Sequence, residues 1–202
     1  GLGGLSVTCG IGGGNNPSSI VIGDFHNDGK QDFAVASPCP ARISIGLGDG
    51  LGGFSVTTNS VFEPLSSFAI GDFNNNGIQD LAVAYNPADR VRIHLGDGLG
   101  GFVEPLSFSY VSVGTHPTSI SVGDFNNDGN QDFATTNDGD NNVSIRLGNG
   151  SGDSGGFSAA HDVRVGDQPA GVAIGGFNND GKQELATANQ LRHTLSIALR
   201  GF

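Results

Sequence analysis

The sequence predicts an all-β fold made of four-stranded antiparallel units, repeated along a single domain. Three observations predict it. An acidic phrase rich in Asn and Gly recurs: GDFHNDGKQD at 23–32, GDFNNNGIQD at 71–80, GDFNNDGNQD at 123–132 and a worn GGFNNDGKQE at 175–184. Each copy sits among short, β-branched, partly alternating runs bounded by Gly, Asn, Asp and Pro. No stretch shows a sustained helical period with caps at its ends.

Each element of the unit can be read in turn. Aligned on the residue after the first glycine, the copies start at Asp24, Asp72, Asp124 and Gly176, spaced 48, 52 and 52 residues apart. A proline precedes each one: Pro17, Pro64, Pro117 and Pro169. The first strand is SIVIG, SFAIG, SISVG or GVAIG, and the acidic phrase follows it. The second strand is FAVAS, LAVAY, FATTN or LATAN; the third is ARISIGLG, RVRIHLG, NVSIRLG or TLSIALR. A Gly-rich turn then leads to a more variable fourth strand opening at Phe54, Phe102 or Phe157. Four antiparallel strands per ~50 residues is one blade of a β-propeller.

The ends fit the same scheme. GLGGLSVTCG at 1–10 matches the fourth-strand segment GLGGFSVTTN at 50–59, and the chain stops at LSIALRGF, after a third strand. We therefore expect one domain over 1–202, with repeats at 17–63, 64–116, 117–168 and 169–202 plus 1–16. The N-terminal strand would complete the last of four blades and close the ring non-covalently, burying edges that invite aggregation. Two chains building an eight-bladed ring, or a piece of a larger propeller, are the alternatives.

Composition narrows the function. The chain has 202 residues, 36% of them hydrophobic, enough for a sizeable core. Its 35 glycines are spread as turn punctuation and show no Gly-X-Y period, which excludes collagen. No apolar run reaches the length of a membrane span. A net charge of −11 repels phosphate backbones and anionic membranes and favours cations, so nucleic acid and membrane insertion are excluded as partners. The chain begins with Gly1 and contains no Met, so it reads as a mature or trimmed product with no signal peptide remaining. Cys9 and Cys39 either form one disulfide or stay as thiols; a bridge would add ~3–4 kcal/mol in the chain-entropy model.

The repeated phrase has the alternating logic of an oxygen cage for Ca²⁺. Side-chain oxygens can come from positions 1, 3, 5 and 9 and a backbone carbonyl from position 7, while Gly at position 6 allows the sharp turn. Copy three is the cleanest: Asp124, Asn126, Asp128, the carbonyl of Asn130, and Asp132. Copy one offers Asp24, Asp28, the carbonyl of Lys30, and Asp32, with His26 in the third position. Copy two offers Asp72, Asn74, Asn76, the carbonyl of Ile78, and Asp80; one fewer negative charge should weaken it. Copy four has Gly176 for its first ligand and ends in Glu184, so it should bind weakly or not at all. Magnesium prefers rigid octahedral sites, and the phrase lacks the Cys and clustered His that zinc favours. Hairpin turns also favour Asn, Asp and Gly, but a turn does not require acids at positions 1, 5 and 9 together. The ions are expected to be structural, pinning the loop between the first two strands of each blade.

GDFNNDGNQDFATT, followed by VSIRLGNG and GGF, resembles the FG-GAP or VCBS repeat, the calcium-loop blade of integrin α-subunit propellers. It is also similar to repeats in secreted bacterial proteins and in some integrin-like fungal lectins. The resemblance recurs four times and covers nearly the whole chain. It implies an extracellular location, Ca²⁺ in the blade loops, and binding to proteins or glycans, as in adhesion. Integrin-type propellers generally have about seven blades, and four here is a departure.

Other motifs carry less. GDSGG at 152–156 and AAHD at 159–162 echo trypsin-like serine proteases, but Ser154 and His161 come in reversed order and only seven residues apart. The GDSGG segment fills the same slot as GDGLGG at 48–53 and 96–101, a turn between third and fourth strands. GDGLGG fits a phosphate-loop pattern, yet no helix follows it. His26, His94, His116, His161 and His193 show no metal-ligand spacing, and Asn142 heads a lone NVS glycosylation triplet. No catalytic constellation stands out.

Three functions follow as expectations. The first is a non-catalytic, Ca²⁺-stabilised extracellular module for adhesion or for glycan or protein recognition. Its binding loops would be SPCPAR at 37–42, YNPADR at 85–90, NDGDNN at 137–142 and NQLRHT at 189–194, where Arg42, Arg90 and Arg192 recur. Ordinary surface charge is the plainer reading of those arginines. The second is a structural subunit of an extracellular filament or homo-oligomer assembled by strand exchange. The third is a polysaccharide-associated propeller, non-catalytic or lyase-like.

Overall fold

The computed structural model describes residues 16–60, 63–103, 110–152 and 156–199. The expected N-terminal strand, and with it Cys9 and Ser154, lie outside the described residues; Cys39 is exposed.

Four antiparallel sheets follow one another along the chain. The first holds β1 (Ser19–Gly23), β2 (Asp32–Pro38), β3 (Ala41–Gly48) and β4 (Phe54–Ser60). The second holds β5 (Leu65–Gly71), β6 (Asp80–Tyr85), β7 (Arg90–Gly96) and the short β8 (Phe102–Val103), with β9 (Val111–Ser112) also pairing on β7. The third holds β10 (Pro117–Gly123), β11 (Asp132–Asn137), β12 (Asn142–Gly148) and β13 (Phe157–Arg164). The fourth holds β14 (Pro169–Gly175), β15 (Glu184–Asn189) and β16 (Thr194–Ala198). Apart from β9, which pairs back on β7, strands neighbouring in sequence within a sheet pair in space, so the sheets are meanders. The register repeats as well: Gly23 faces Asp32, Gly71 faces Asp80, Gly123 faces Asp132 and Gly175 faces Glu184.

Apolar residues on both faces of the middle strands explain how the sheets stack. The strands β6 and β11 are buried along their whole length, because sheets cover them on either side. Three core clusters each straddle two consecutive sheets. The first joins Ile43 and Ile45 to Phe68, Leu81 and Val83; the second joins Phe73, Val91 and Ile93 to Ile120 and Phe133. The third joins Phe125 and Val143 to Leu185. First strands stand side by side, β1 against β5, β5 against β10 and β10 against β14. This is a β-propeller-like arrangement of blades.

The closed four-blade ring expected from the sequence is not formed by the described residues. β1 and β14 stand at opposite ends of the row and make no comparable contact. The fourth sheet has three strands there, and the outward faces of the first and fourth sheets stay in solvent.

Phe133 is fully buried and its ring lies 5.1 Å from that of Phe157. Phe133→Ala should cost about 3–5 kcal/mol in urea denaturation, whereas Leu51→Ala, at a position 93% exposed, should cost under about 0.5 kcal/mol. Equal losses would contradict the placement of the core between the sheets.

Candidate metal-binding loops

Each acidic phrase forms the connection between the first and second strands of its sheet. Two backbone positions shape it. Asn27, Asn75, Asn127 and Asn179 adopt φ between 56° and 60°, and Gly29, Gly77, Gly129 and Gly181 adopt φ between 79° and 86°. These are left-handed conformations that asparagine tolerates and glycine adopts freely. A Cβ on any of those four glycines would meet nothing within 4 Å, so φ and not crowding selects glycine there.

The side chains at positions 1, 3 and 5 fold inward over the turn. Asp24 accepts from the amides of Asp28 (3.1 Å) and Gly29 (2.7 Å). Asp72 accepts in the same way from Asn76 and Gly77, and Asp124 from Asp128 and Gly129. Asn74 and Asn126 accept from the amides of Asn76 and Asp128, each at 3.1 Å. Asn76 and Asp128 accept from the amides of Ile78 and Asn130, each at 2.8 Å. Position 7 therefore gives its amide to position 5 in copies two and three, as Lys30 does to Asp28 in copy one.

Position 9 does something different. The carboxylates of Asp32, Asp80 and Asp132 are buried, and each binds two distant amides. One oxygen accepts from the phenylalanine at position 2: Phe25 at 2.8 Å, Phe73 at 2.9 Å, Phe125 at 2.7 Å. The other accepts from the last glycine of the third strand, Gly48, Gly96 or Gly148, at 2.8 Å in every case. Those glycines are sterically required. A Cβ on Gly48, Gly96 or Gly148 would lie 2.2–2.3 Å from the carbonyl oxygen of Gln31, Gln79 or Gln131. Burial pushes the carboxyls of Asp80 and Asp132 up to about 6, against the pull of their amide donors. Their ionised form is thus held at a cost that a nearby cation would offset.

The four copies differ in charge. In copy one, ligand atoms of Asp24, His26 and Asp28 lie within 4.8 Å of one another. His26 sits among the acids, with Nδ1 2.8 Å from Asp32 and Nε2 2.9 Å from Asp28, and Lys30 Nζ is 2.7 Å from Asp28. The hydrogen bond to Asp32 chiefly raises the His26 pKa, and that from Lys30 chiefly lowers the Asp28 pKa. A divalent ion in copy one would compete with these two basic groups. Copies two and three present only oxygen donors from positions 1, 3, 5 and 9, a set that fits a hard cation such as Ca²⁺. A cavity of about 390 Å³ opens beside copy three, lined by Asn126, Asp128 and Asn130 on one side and Asn149 and Phe157 on the other. In copy four Asn178 and Asp180 keep their turn bonds, but Gly176 offers no side-chain acceptor. Glu184 still accepts from Phe177 at 2.7 Å, while its other oxygen is buried without a partner among the described residues.

Sequence reasoning missed position 8, which is Gln in all four copies: Gln31, Gln79, Gln131 and Gln183. Gln183 Oε1 accepts from the amide of Asp124 at 2.8 Å, tying the fourth loop to the third. A Cβ on Gly23 or Gly123 would fall 2.0 or 2.2 Å from the side-chain oxygen of Gln79 or Gln183, so the neighbouring loop sets glycine before position 1. Exact fourfold recurrence was the available signal. A further bond, Asn75 Nδ2 to Asn130 Oδ1 at 2.8 Å, joins loops two and three.

The turns between second and third strands lie at the other end of the sheets. Two of their arginines are engaged within the chain. Arg90 pairs with Glu63 and lies 3.9 Å above the Tyr110 ring, and Arg192 meets Asp167 at 2.6 Å. Asp89 and Asn141 accept from the amides of His116 and Gln168, each at 2.8 Å, stitching these turns to the next sheet. Arg42 is exposed. His94 is buried against the Tyr85 hydroxyl at 3.0 Å, and burial pushes it down to about 4. His161 sits exposed on β13.

The profile of the FG-GAP-like repeat matches residues 24–83, 72–135 and 124–187. No curated protein matches. Among solved structures, BBS1N in complex with ARL6DN soaked with lead is similar at 15% identity and TM-score 0.60, covering 91% of this chain and 57% of that one. The mercury-soaked form gives 14% identity, TM-score 0.60, and coverage of 91% and 58%. This chain thus spans under two thirds of the length of those it matches, and at such identity the likeness speaks for the fold alone.

Asp132→Asn replaces an acceptor oxygen with an NH₂ group facing a buried amide donor. It should lower unfolding stability in chelator by about 1–3 kcal/mol, read by urea denaturation. An unchanged midpoint would refute the structural role of position 9.

Proposed function

Because the chain belongs to the FG-GAP-like repeat family, we propose that it is a non-catalytic binding module whose loops take up Ca²⁺ outside the cell. What supports this is the oxygen-only donor set of copies two and three, formed by Asp72, Asn74, Asn76 and Asp80 and by Asp124, Asn126, Asp128 and Asp132. Calcium would neutralise buried acids there and tighten the loop against its hairpin. Sites with so few charges suit millimolar calcium, since extracellular modules bind at about 10⁻⁴–10⁻³ M. The net charge of −11 adds a general attraction for cations. Copy three is the strongest site, copy two is weaker, copy one competes with His26 and Lys30, and copy four is the weakest.

The ligand is a protein or a glycan met at the loops of the sheet ends, and adhesion is the setting that fits. The BBS1N neighbours are complexes with another protein, ARL6DN, which favours a protein partner. Arg42 and the variable parts of the turns at 37–42, 85–90, 137–142 and 189–194 are the surface we assign to it. A glycan array and a pull-down from extracellular extract, each with and without chelator, test the module; silence in both overturns it.

Calcium at about 10 mM should raise stability by about 1–3 kcal/mol per filled site. Thermal melts and titration calorimetry read this, and Asp124→Ala with Asp128→Ala should remove the largest share. No heat and no shift in melting temperature would overturn the calcium assignment.

A further inference from the structure

We infer that Gln183 is a positioning residue for the cation site of copy three. A side chain of the fourth repeat, whose own loop lacks a first acid, holds Asp124 in place for the neighbouring loop. The inference rests on the calcium reading of copy three and adds to that site a residue from outside the copy.

The first acid of a loop needs two restraints. Its carboxylate must be aimed, and the turn does this: Asp124 accepts from the amides of Asp128 at 3.2 Å and Gly129 at 2.9 Å. Its main chain must be fixed as well, since a carboxylate is placed no better than the backbone that carries it. On one side Gly123 is the last rung of the ladder, facing Asp132. On the other the Phe125 amide is held by Asp132 at 2.7 Å. Between them the Asp124 amide bonds outside its own repeat, to Gln183 Oε1 at 2.8 Å. That bond completes the restraint on the stretch from which the first ligand projects. A ligand ordered before the ion arrives binds more tightly, because less conformational freedom is lost on binding. Without Gln183 that loss would fall on calcium uptake.

The packing around the bond is specific. A Cβ on Gly123 would lie 2.2 Å from Gln183 Oε1 and 3.3 Å from Ile174, so glycine there admits the glutamine. Gly23 has the same relation to Gln79, where a Cβ would lie 2.0 Å from Oε1. That oxygen is buried with no hydrogen-bond partner among the described residues, and its neighbour is the loop whose acids pair with His26 and Lys30. The glutamine thus reaches the neighbouring loop in both places, and at copy three, with only oxygen donors, it is bonded to the first acid's amide. In its own loop Gln183 has no first acid to place, because Gly176 offers no side-chain acceptor.

Calcium titration of the 202-residue chain, followed by the NMR amide signals of Gly129 for copy three and Gly77 for copy two, tests this. Gln183→Met keeps the side-chain length and removes the carboxamide oxygen. It should weaken calcium binding at copy three at least about fivefold and leave copy two within about twofold. Gly123→Ala should do the same from the other side, because its methyl displaces the end of a flexible side chain and leaves the strand backbone in place. Gln183→Glu keeps the acceptor and should hold copy three at or above the parent affinity. Gln31→Met, the same change at an exposed position, should leave both copies unchanged. Equal weakening of both copies, or a loss in Gln183→Glu as large as in Gln183→Met, marks a general structural effect and overturns the proposal. So does unchanged binding in Gln183→Met and Gly123→Ala beside a parent that binds calcium at copy three. A parent whose Gly129 signal does not move up to about 10 mM calcium overturns the calcium reading itself, and this inference with it.

Discussion

The buried carboxylate at the start of each second strand is the constraint on which the rest of each blade depends. Asp32, Asp80 and Asp132 each receive one amide from the start of the acidic loop and another from the end of the third strand. One side chain thereby locks loop, second strand and third strand together. It also explains two features that look unrelated in sequence. The glycine ending the third strand must be small because it lies on the backbone of the preceding Gln, and the phenylalanine at position 2 gives its amide to the acid while its ring, in the first three repeats, is buried in the core. In the fourth repeat the acid is Glu184, one methylene longer, and Arg200 stands where the other repeats have that glycine. There the second oxygen has no partner among the described residues.

The loop acids and amides are a separate layer on this scaffold. Side chains at positions 1, 3 and 5 are satisfied by the turn's own amides, so the loop has a defined shape from hydrogen bonds alone. An ion in it would add charge neutralisation and would draw on oxygens already arranged by the turn. That division of labour suits a module in which the acid at position 9 carries stability and the more exposed acids tune cation affinity.

Much of this was legible in the sequence. The repeat period, the four strands per unit, the turn positions and the acidic loop between first and second strands all follow from local pattern, and the sheets repeat them with the same register. What was not legible depends on distance. No local rule says that Asp132 should bond Gly148, or that Gln183 should reach Asp124 in the neighbouring sheet, because both contacts arise from how strands and sheets are stacked. Fourfold Gln was visible but had no local chemistry to explain it. The arginines of the opposite turns looked available as a recurring set; Arg90 and Arg192 are instead engaged with Glu63, Tyr110 and Asp167. Ring closure was expected through the N-terminal strand, which lies outside the described residues; periodicity counts the sheets and says nothing of whether the first meets the last.

The independence of scaffold and loop has a consequence for how such a chain can drift. A repeat that loses Asp at its first position keeps its hairpin, as the Gly176 copy does. Loss of one loop acid therefore need not topple its blade, and the four loops can carry different charges within a single domain. A stretch built that way would respond to calcium over a wide range of concentrations instead of switching at one threshold.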